Sequence, residues 1–392
     1  SCQLLHFSTM SRYSGRKIES KIKKDLSKKI VLLAGPRQCG KTSTSLNLLK
    51  ETKGDTIRYL NWDFAEHRES IMQEIFPLGK GLIVLDEIHK FSRWRQVVKG
   101  LYDIRKNEIS ILVTGSGKLD HYSHGGDSLQ GRYFLHRMYP FSLDEFRDAN
   151  QKLLEDFFHL GPFPEPLLAG SEMDAKRWSR DYRQRLIQED INTLESVKDL
   201  GVMEMLSLRL KDIIGSPLSV NSLREDLQIA HKTVSSWLDI FEALFFQFRI
   251  FPFGSPLIRA LKKEPKLYLF DWTVITDPGA RFENLVAFHL RKQVDTLVDS
   301  NSRELELSYF RDVDGREVDF VITENGQPIF AIETKFKDDR AYRPIIFFKK
   351  KFPACNCMLL FYEGSKEYTD KYGVNHVHAL NFLKNFLPER IL

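Results

Sequence analysis

The sequence predicts an α/β protein: a sheet-and-helix core near the start, a mainly helical middle, and a second α/β unit at the end. Three observations carry this. The apolar run Ile30–Ala34 leads directly into Gly35-Pro-Arg-Gln-Cys-Gly-Lys-Thr42, a complete G-x-x-x-x-G-K-[ST] phosphate loop. A second apolar run, 81–85, ends in the adjacent acids Asp86 and Glu87. Far downstream, short β-type runs at 306–311, 317–322 and 328–336 follow a helical segment and carry Asp319, Glu333 and Lys335.

The first element is the strand before the loop. A phosphate loop works where a buried strand ends and a helix begins, because backbone N–H groups then wrap an anion at the helix N-terminus. The helix-compatible run 42–50 supplies that helix. Residues Gly35, Pro36, Arg37, Gln38, Cys39, Gly40, Lys41, Thr42 and Ser43 are therefore the expected ATP-contacting stretch. Lys41 would neutralise the β and γ phosphates, and the Thr42 hydroxyl would ligate Mg²⁺. Cys39 is either an oxidation-sensitive thiol at a helix start or simply a small residue that fits.

The run 81–85 reads as a strand buried on both faces. Asp86 at its end suits support of Mg²⁺, and Glu87 suits polarisation of an attacking water. A further strand, 109–114, ends in Thr114-Gly-Ser116, whose hydroxyls suit sensing of a γ-phosphate or orientation of water. Another strand is expected at 133–138, preceded by Arg132, read either as an arginine finger, in cis or from a neighbouring subunit, or as a surface ion-pair partner. Ser142 and Glu145 have capping-box spacing and predict a helix start.

Residues 161–166 (GPFPEP) cannot be a helix interior or a central strand, because proline lacks a donor, so they read as a turn or linker. Residues 174–214 look helical, with Trp178, Tyr182, Leu186 and Ile187 at helical spacing. Next come a short helix with Leu223 and Leu227, a tight turn at 229–230, and a helix with Val234, Trp237, Leu238 and Phe241 inward. With the strand 245–251 they form a winged-helix pattern. His231, Lys232, Ser235 and Ser236 would occupy the exposed face of its second helix. One lysine is little for phosphate contact, which favours a packing module over a DNA reader.

At the C-terminal end a helix is expected at 282–292 with Glu283 near its start. Residues two apart on a strand share a face, so Glu333 and Lys335 point the same way. With Asp319 on the neighbouring strand, Asp319 and Glu333 would share one divalent cation, and Lys335 would orient or activate the hydroxide. Oxygen ligands suit Mg²⁺ or Mn²⁺. The plainer alternative is a solvated hairpin of alternating charge.

The chain has 392 residues, 42% hydrophobic and 28% charged, enough for two or three folded domains. No apolar stretch approaches the roughly 20 residues of a membrane helix, so no membrane contact and a cytoplasmic setting are expected. The net charge of +5 permits a DNA or RNA partner without arguing for one. Four cysteines without C-x-x-C pairing argue against zinc or a disulfide scaffold. The expected divisions are a tail over 1–12, an ATPase domain over 13–160, a helical lid over 161–214, a winged-helix-like part over 215–260, and a final domain over 261–392.

Taken together, the chain resembles prokaryotic AAA-superfamily P-loop ATPases (the ASCE type) that carry a C-terminal domain of unassigned function. The matching residues are Gly35-Pro-Arg-Gln-Cys-Gly-Lys-Thr42, Leu85-Asp-Glu-Ile-His-Lys90, Gly115-Ser116, Gly131-Arg132 and Phe163-Pro-Glu165. Lys266-Leu-Tyr-Leu-Phe-Asp271, Phe282-Glu-Asn284, Glu317-Val-Asp-Phe320 and Ile332-Glu-Thr-Lys335 complete the set. The resemblance implies an ATP-binding core and an end similar to PD-(D/E)XK nucleases, of restriction-endonuclease-like fold. It also implies that Glu283, Asp319, Glu333 and Lys335 fill the nuclease-type motif, the three acids as metal ligands. Two departures stand out: Gln188-Glu189-Asp190-Ile191, where the family often has an arginine just before Asp-Ile, and Gly115-Ser116-Gly117 with one hydroxyl fewer than the family's pattern.

Two functions follow as expectations. The first is an ATPase coupled to nucleic-acid processing through a metal-dependent nuclease-like domain. The second is a nucleotide-controlled switch, alone or as a homo-oligomer, that recruits a protein partner and carries an inert C-terminal scaffold. A small-molecule kinase is disfavoured by the Asp86–Glu87 pair and the long C-terminal region.

Overall fold

A computed structural model describes residues 13, 15–52, 58–117, 119, 129–191, 199–254, 264–301, 303–337, 342–364 and 366–386. The expected tail, 1–12, lies outside them. Contacts divide the described residues into two units: those of Gly15–Pro140 with Ala243–Phe245, and those of Phe141–Glu242 with the ones from Phe246 onward and Tyr13.

The first unit is built on five parallel strands: β1 (Ile30–Ala34), β2 (Tyr59–Asn61), β3 (Gly81–Asp86), β4 (Ile109–Gly115) and β5 (Tyr133–Arg137). Their order is β2-β3-β4-β1-β5, so β4 lies between the loop-bearing β1 and β3. Each face of the sheet has its own core. Ile30, Leu32, Ile83, Leu85, Ile111 and Val113 pack with Trp94 and Val98 of the helix Trp94–Arg105. On the other face Val31, Leu33, Leu82, Val84 and Leu112 pack with Ile22 of the helix Ile18–Leu26 and with Leu48 and Leu49 of Lys41–Glu51. Burial on both faces is why these strands read as unbroken apolar runs rather than alternating ones.

The second unit holds an eight-stranded sheet: β6 (Gln247–Pro252), β7 (Lys266–Leu269), β8 (Leu305–Arg311), β9 (Glu317–Glu324), β10 (Gln327–Lys337), β11 (Asn356–Glu363), β12 (Tyr368–Thr369) and β13 (Asn375–His378). The order is β12-β13-β11-β10-β9-β8-β6-β7. β8, β9 and β10 form an antiparallel meander, and β10 runs parallel to β11 across the helix Arg343–Lys351. The helix expected at 282–292 extends over Pro278–Asn301. No helix among the described residues is long and apolar enough to cross a membrane.

Four expectations meet a different outcome. Residues 141–160 belong with the second unit, because Leu143 N donates to His289 Nε2 at 3.2 Å, Lys292 pairs with Glu145 at 2.7 Å and Trp272 Nε1 donates to the Phe157 carbonyl. The capping box is present, with Ser142 N donating to Glu145 at 3.2 Å, but it opens only the 3-10 turn Leu143–Glu145. The proline segment turns at Gly161 and then begins the helix Pro164–Ala169, where proline in the first turn lacks only a donor the helix does not use. The helices Val220–Leu227 and His231–Ala243 lead into a strand as expected, with Val234, Trp237, Leu238 and Phe241 buried. That strand, β6, pairs with β7 and β8, so the division expected at 260 falls between neighbours in one sheet.

Candidate nucleotide site and the C-terminal acid–lysine cluster

The phosphate loop leaves the buried end of β1 at a place where only glycine fits. A Cβ on Gly35 would lie 2.2 Å from the Met138 carbonyl oxygen. Gly40 adopts a φ of 103°, a left-handed conformation that costs glycine little, and the helix Lys41–Glu51 starts at the next residue. Cys39 is wholly buried with its thiol 3.5 Å from the Met138 carbonyl, which fits a small packing residue. The Arg16 guanidinium donates to the Cys39 and Tyr139 carbonyls and so braces the loop from behind. Lys41 is 6% exposed, and its ammonium donates to the Gly35 and Pro36 carbonyls at 3.0 and 2.7 Å.

Beside the loop, Asp86 at the end of β3 gathers hydroxyls from three elements. Thr42 Oγ1 donates to its Oδ2 at 2.8 Å, the Tyr59 hydroxyl donates to the same oxygen at 2.5 Å, and Thr114 Oγ1 donates to Oδ1. Burial pushes the Tyr59 hydroxyl's pKa up, helped by this bond to Asp86, so it stays a donor. The Thr42 hydroxyl and the Asp86 carboxylate are hard oxygen groups side by side at a phosphate loop, a donor set that fits Mg²⁺.

Glu87 follows with a φ of 55°, in the left-handed region that residues other than glycine seldom adopt. Burial raises its carboxyl pKa, against the opposing pull of Lys41 and Lys90. Lys90 lies 3.5 Å from it and His89 3.8 Å, and His89 Nε2 lies 3.2 Å from Ser116 Oγ. The C-terminal ends of β1, β3 and β4 thus bring Lys41, Thr42, Asp86, Glu87 and Ser116 to one end of the sheet.

Arg132 is not among them. It precedes β5, and its carbonyl accepts the Ile30 N–H at the start of β1, so it sits at the opposite end of the sheet. Roughly 15 Å of strand separates it from the loop, and its guanidinium holds exposed Asp103 through two bonds of 2.9 and 3.3 Å. The surface ion-pair reading applies, and a part in its own nucleotide site does not. Arg137, in register with Ala34, is the arginine of β5 at the loop end. Sequence reasoning missed it, although its place at the end of a parallel strand was a usable signal. It missed Tyr59 as well, because β2 is only three residues long.

In the second unit the four motif residues converge, together with Lys266, Tyr268, Glu317 and Thr334, which sequence reasoning did not single out as site residues. Asp319 on β9 and Glu333 on β10 lie on paired strands, and Glu283 comes from the first turns of the helix Pro278–Asn301. Among them stands Lys266, the first residue of β7, 1% exposed. Its ammonium lies 2.7 Å from Glu317, 3.4 Å from Glu283 and 3.5 Å from Asp319. Burial alone would lower its pKa, yet Glu283, Asp319 and Glu317 carry it above the ordinary value. Tyr268 donates to Glu283 at 2.7 Å, and Asp319 Oδ2 accepts from the Thr334 N–H and hydroxyl at 2.9 and 2.7 Å. Lys335 pairs with Glu333 at 2.8 Å. Burial, then the charge of Asp319, pushes Glu283 up to about 7 and Glu333 up to about 8.

This arrangement corrects the expected metal centre. Glu283 and Asp319 come together around the Lys266 ammonium, Glu333 pairs with Lys335 instead, and among the described residues no set of three or more His, Cys, Asp or Glu side chains is arranged to hold a metal ion. Glu283, Asp319 and Glu333 do not fit the Mg²⁺ or Mn²⁺ that the nuclease resemblance implies.

Residues 27–147 match the family model for an AAA domain, and 151–276 and 278–382 match two domains of unknown function (DUF8612 and DUF4143). An uncharacterized protein of Mycobacterium tuberculosis is 24% identical over 314 residues, covering 76% of this chain and 68% of that protein. One from Methanocaldococcus jannaschii is 22% identical over 383 residues, covering 88% and 83%. Among solved structures, a Walker-type ATPase of Pyrococcus abyssi aligns at 14% identity and a TM-score of 0.43, over 69% of this chain and 96% of that one. The ORC1 protein of Aeropyrum pernix in complex with DNA aligns at 14% identity and a TM-score of 0.33, over 70% and 94%. With its phosphate loop and Asp86 meeting at one end of a five-stranded parallel sheet, the segment 27–147 is an AAA domain with the core of an ATP-binding P-loop ATPase.

Proposed function

We propose that the chain is a nucleotide-controlled switch: the AAA domain binds and hydrolyses ATP, and its nucleotide state governs recruitment of a protein partner, with the C-terminal domain as a non-cutting scaffold. The observation that carries this choice is Lys266, whose buried ammonium lies against Glu283 and Asp319, two of the three acids that a nuclease would need for metal. In the AAA domain Lys41 would exchange the Gly35 and Pro36 carbonyls for phosphate oxygens. Thr42 and Asp86 would hold Mg²⁺, which when bound supplies charge neutralisation at the phosphates. Glu87 would polarise the attacking water, with Ser116 and His89 beside it. Arg132, at the far end of its own sheet, would reach a nucleotide only in a neighbouring subunit.

A second reading, an ATPase coupled to a nuclease acting on DNA or RNA, is favoured by one feature. Among the described residues, Glu333 Oε2 is buried without a hydrogen-bond partner beside Lys335, a costly arrangement for a merely structural acid. Two measurements separate the readings: ATPase rate with and without DNA, and Mn²⁺-dependent cleavage of single- and double-stranded DNA against a Lys335→Ala control. The switch requires ATP binding, slow turnover indifferent to DNA, and no cutting. Cutting that vanishes in Lys335→Ala would replace it with the nuclease.

A further inference from the structure

We propose that Lys266 is the resident cation of the C-terminal acid cluster, its ammonium standing where a divalent ion would stand and tying β7, β9 and the helix Pro278–Asn301 together without metal. The inference deepens the scaffold reading and rests on it. Three N–H donors face three carboxylates, Glu317 at 2.7 Å, Glu283 at 3.4 Å and Asp319 at 3.5 Å. Further donors and a cation approach the same carboxylates. Tyr268 donates to Glu283, Thr334 donates twice to Asp319, and Arg311 lies 3.8 Å from Glu317. A divalent ion needs oxygens free to approach at about 2.0–2.1 Å, and Glu283 Oε1 and both oxygens of Asp319 already accept N–H or O–H bonds.

Lys266 has little freedom to leave. It is 1% exposed, its backbone is paired with Ile250 on β6 and bridged to Pro217, and the Tyr309 ring lies 5.6 Å from its ammonium. A buried ammonium among acids is retained because removing it would leave those charges uncompensated. The lysine of the nuclease-type motif is elsewhere, on Glu333, so the cluster holds a second cation that this motif does not include. This arrangement links strands and a helix far apart in sequence, which is a structural task.

The test is Mn²⁺ binding to the nucleotide-free full-length chain, followed by electron paramagnetic resonance, in wild type, Asp319→Asn, Lys266→Met and the Lys266→Met/Asp319→Asn double variant. Any Mn²⁺ held at the phosphate loop is common to all four and cancels in the comparison. The expected result is that Asp319→Asn leaves wild-type binding unchanged. Lys266→Met gains a site roughly a hundredfold tighter, from removal of one nearby positive charge, and the double variant loses it again. Wild-type binding that falls in Asp319→Asn would overturn the proposal, as would a folded Lys266→Met that gains no site. Should Lys266→Met fail to fold, the wild-type and Asp319→Asn pair still decides. DNA cleavage is a separate readout: cutting would sink the scaffold reading, whereas Mn²⁺ bound at Asp319 without cutting would sink only the role of Lys266.

Discussion

The Thr42 hydroxyl donates to the Asp86 carboxylate across 2.8 Å, joining the first turn of the helix after the phosphate loop to the end of β3. β4 stands between the strands that carry these residues, so the bond spans the crevice above it and is closed from below by Thr114. The oxygen groups of the site share one location through these bonds, so little of their ordering is left to the nucleotide.

Lys41→Ala is expected to weaken ATP binding by roughly 1.5–3 kcal/mol, the value of a hydrogen bond to a charged group. Its ammonium also holds the Gly35 and Pro36 carbonyls, so the variant loosens the loop as well. Isothermal titration with ATP reads the change. Native affinity in the folded variant would mean the loop does not take nucleotide through Lys41.

Glu87→Gln should keep ATP affinity and lower turnover by about 10²–10⁴-fold, the range for removing a general base. Glutamine keeps the size of the side chain at the left-handed φ of 55°, so the fold is not at issue. A steady-state rate equal to wild type, with unchanged binding, would remove Glu87 from the water-activating role.

Arg132→Ala should leave ATP affinity unchanged, because the residue lies at the start of β5 beside Asp103 rather than at the loop. Arg137→Ala is the informative partner, being level with Ala34 at the loop end. If Arg132→Ala weakens turnover only at high protein concentration, a neighbouring subunit supplies that arginine.

This contrast marks where sequence was sufficient. The phosphate loop is eight consecutive residues, and its strands are buried on both faces, so order and apolarity alone located Lys41, Thr42, Asp86 and Glu87. The placement of Arg132 was also recoverable, since a residue preceding a parallel strand lies opposite a loop that follows one. Lys266 was not. A lysine opening a strand ordinarily reads as a solvent-exposed end, and its partners Glu283 and Asp319 are 17 and 53 residues away. The edge of the first unit was hidden for a similar reason. Phe141, Phe146 and Phe157 look like core residues wherever they pack, and only tertiary contact with His289 and Trp272 assigns them to the second unit.

That same contact supplies a pH dependence. His289 accepts the Leu143 N–H through Nε2 and lies with Nδ1 2.8 Å from the Leu285 carbonyl, an arrangement that holds the neutral ring. Burial lowers its pKa from 6.5 to about 4, while Asp144 and Glu145 pull it up and Lys292 pulls it down. Because the folded pKa is depressed, the unfolded chain takes the proton first. The stability from His289 is fully present above pH 6.5 and is lost as pH falls from 6.5 towards 4, up to about 3 kcal/mol. Glu283 and Glu333, raised to about 7 and 8, act in the opposite sense, their contribution fading as pH rises from 4.5 through those values. Comparing wild type with His289→Gln cancels those terms. Denaturant unfolding of both at pH 7 and pH 4.5 should show wild type losing stability relative to the variant at the lower pH. A constant difference across that range would mean the ring is protonated, or solvated, in the folded protein.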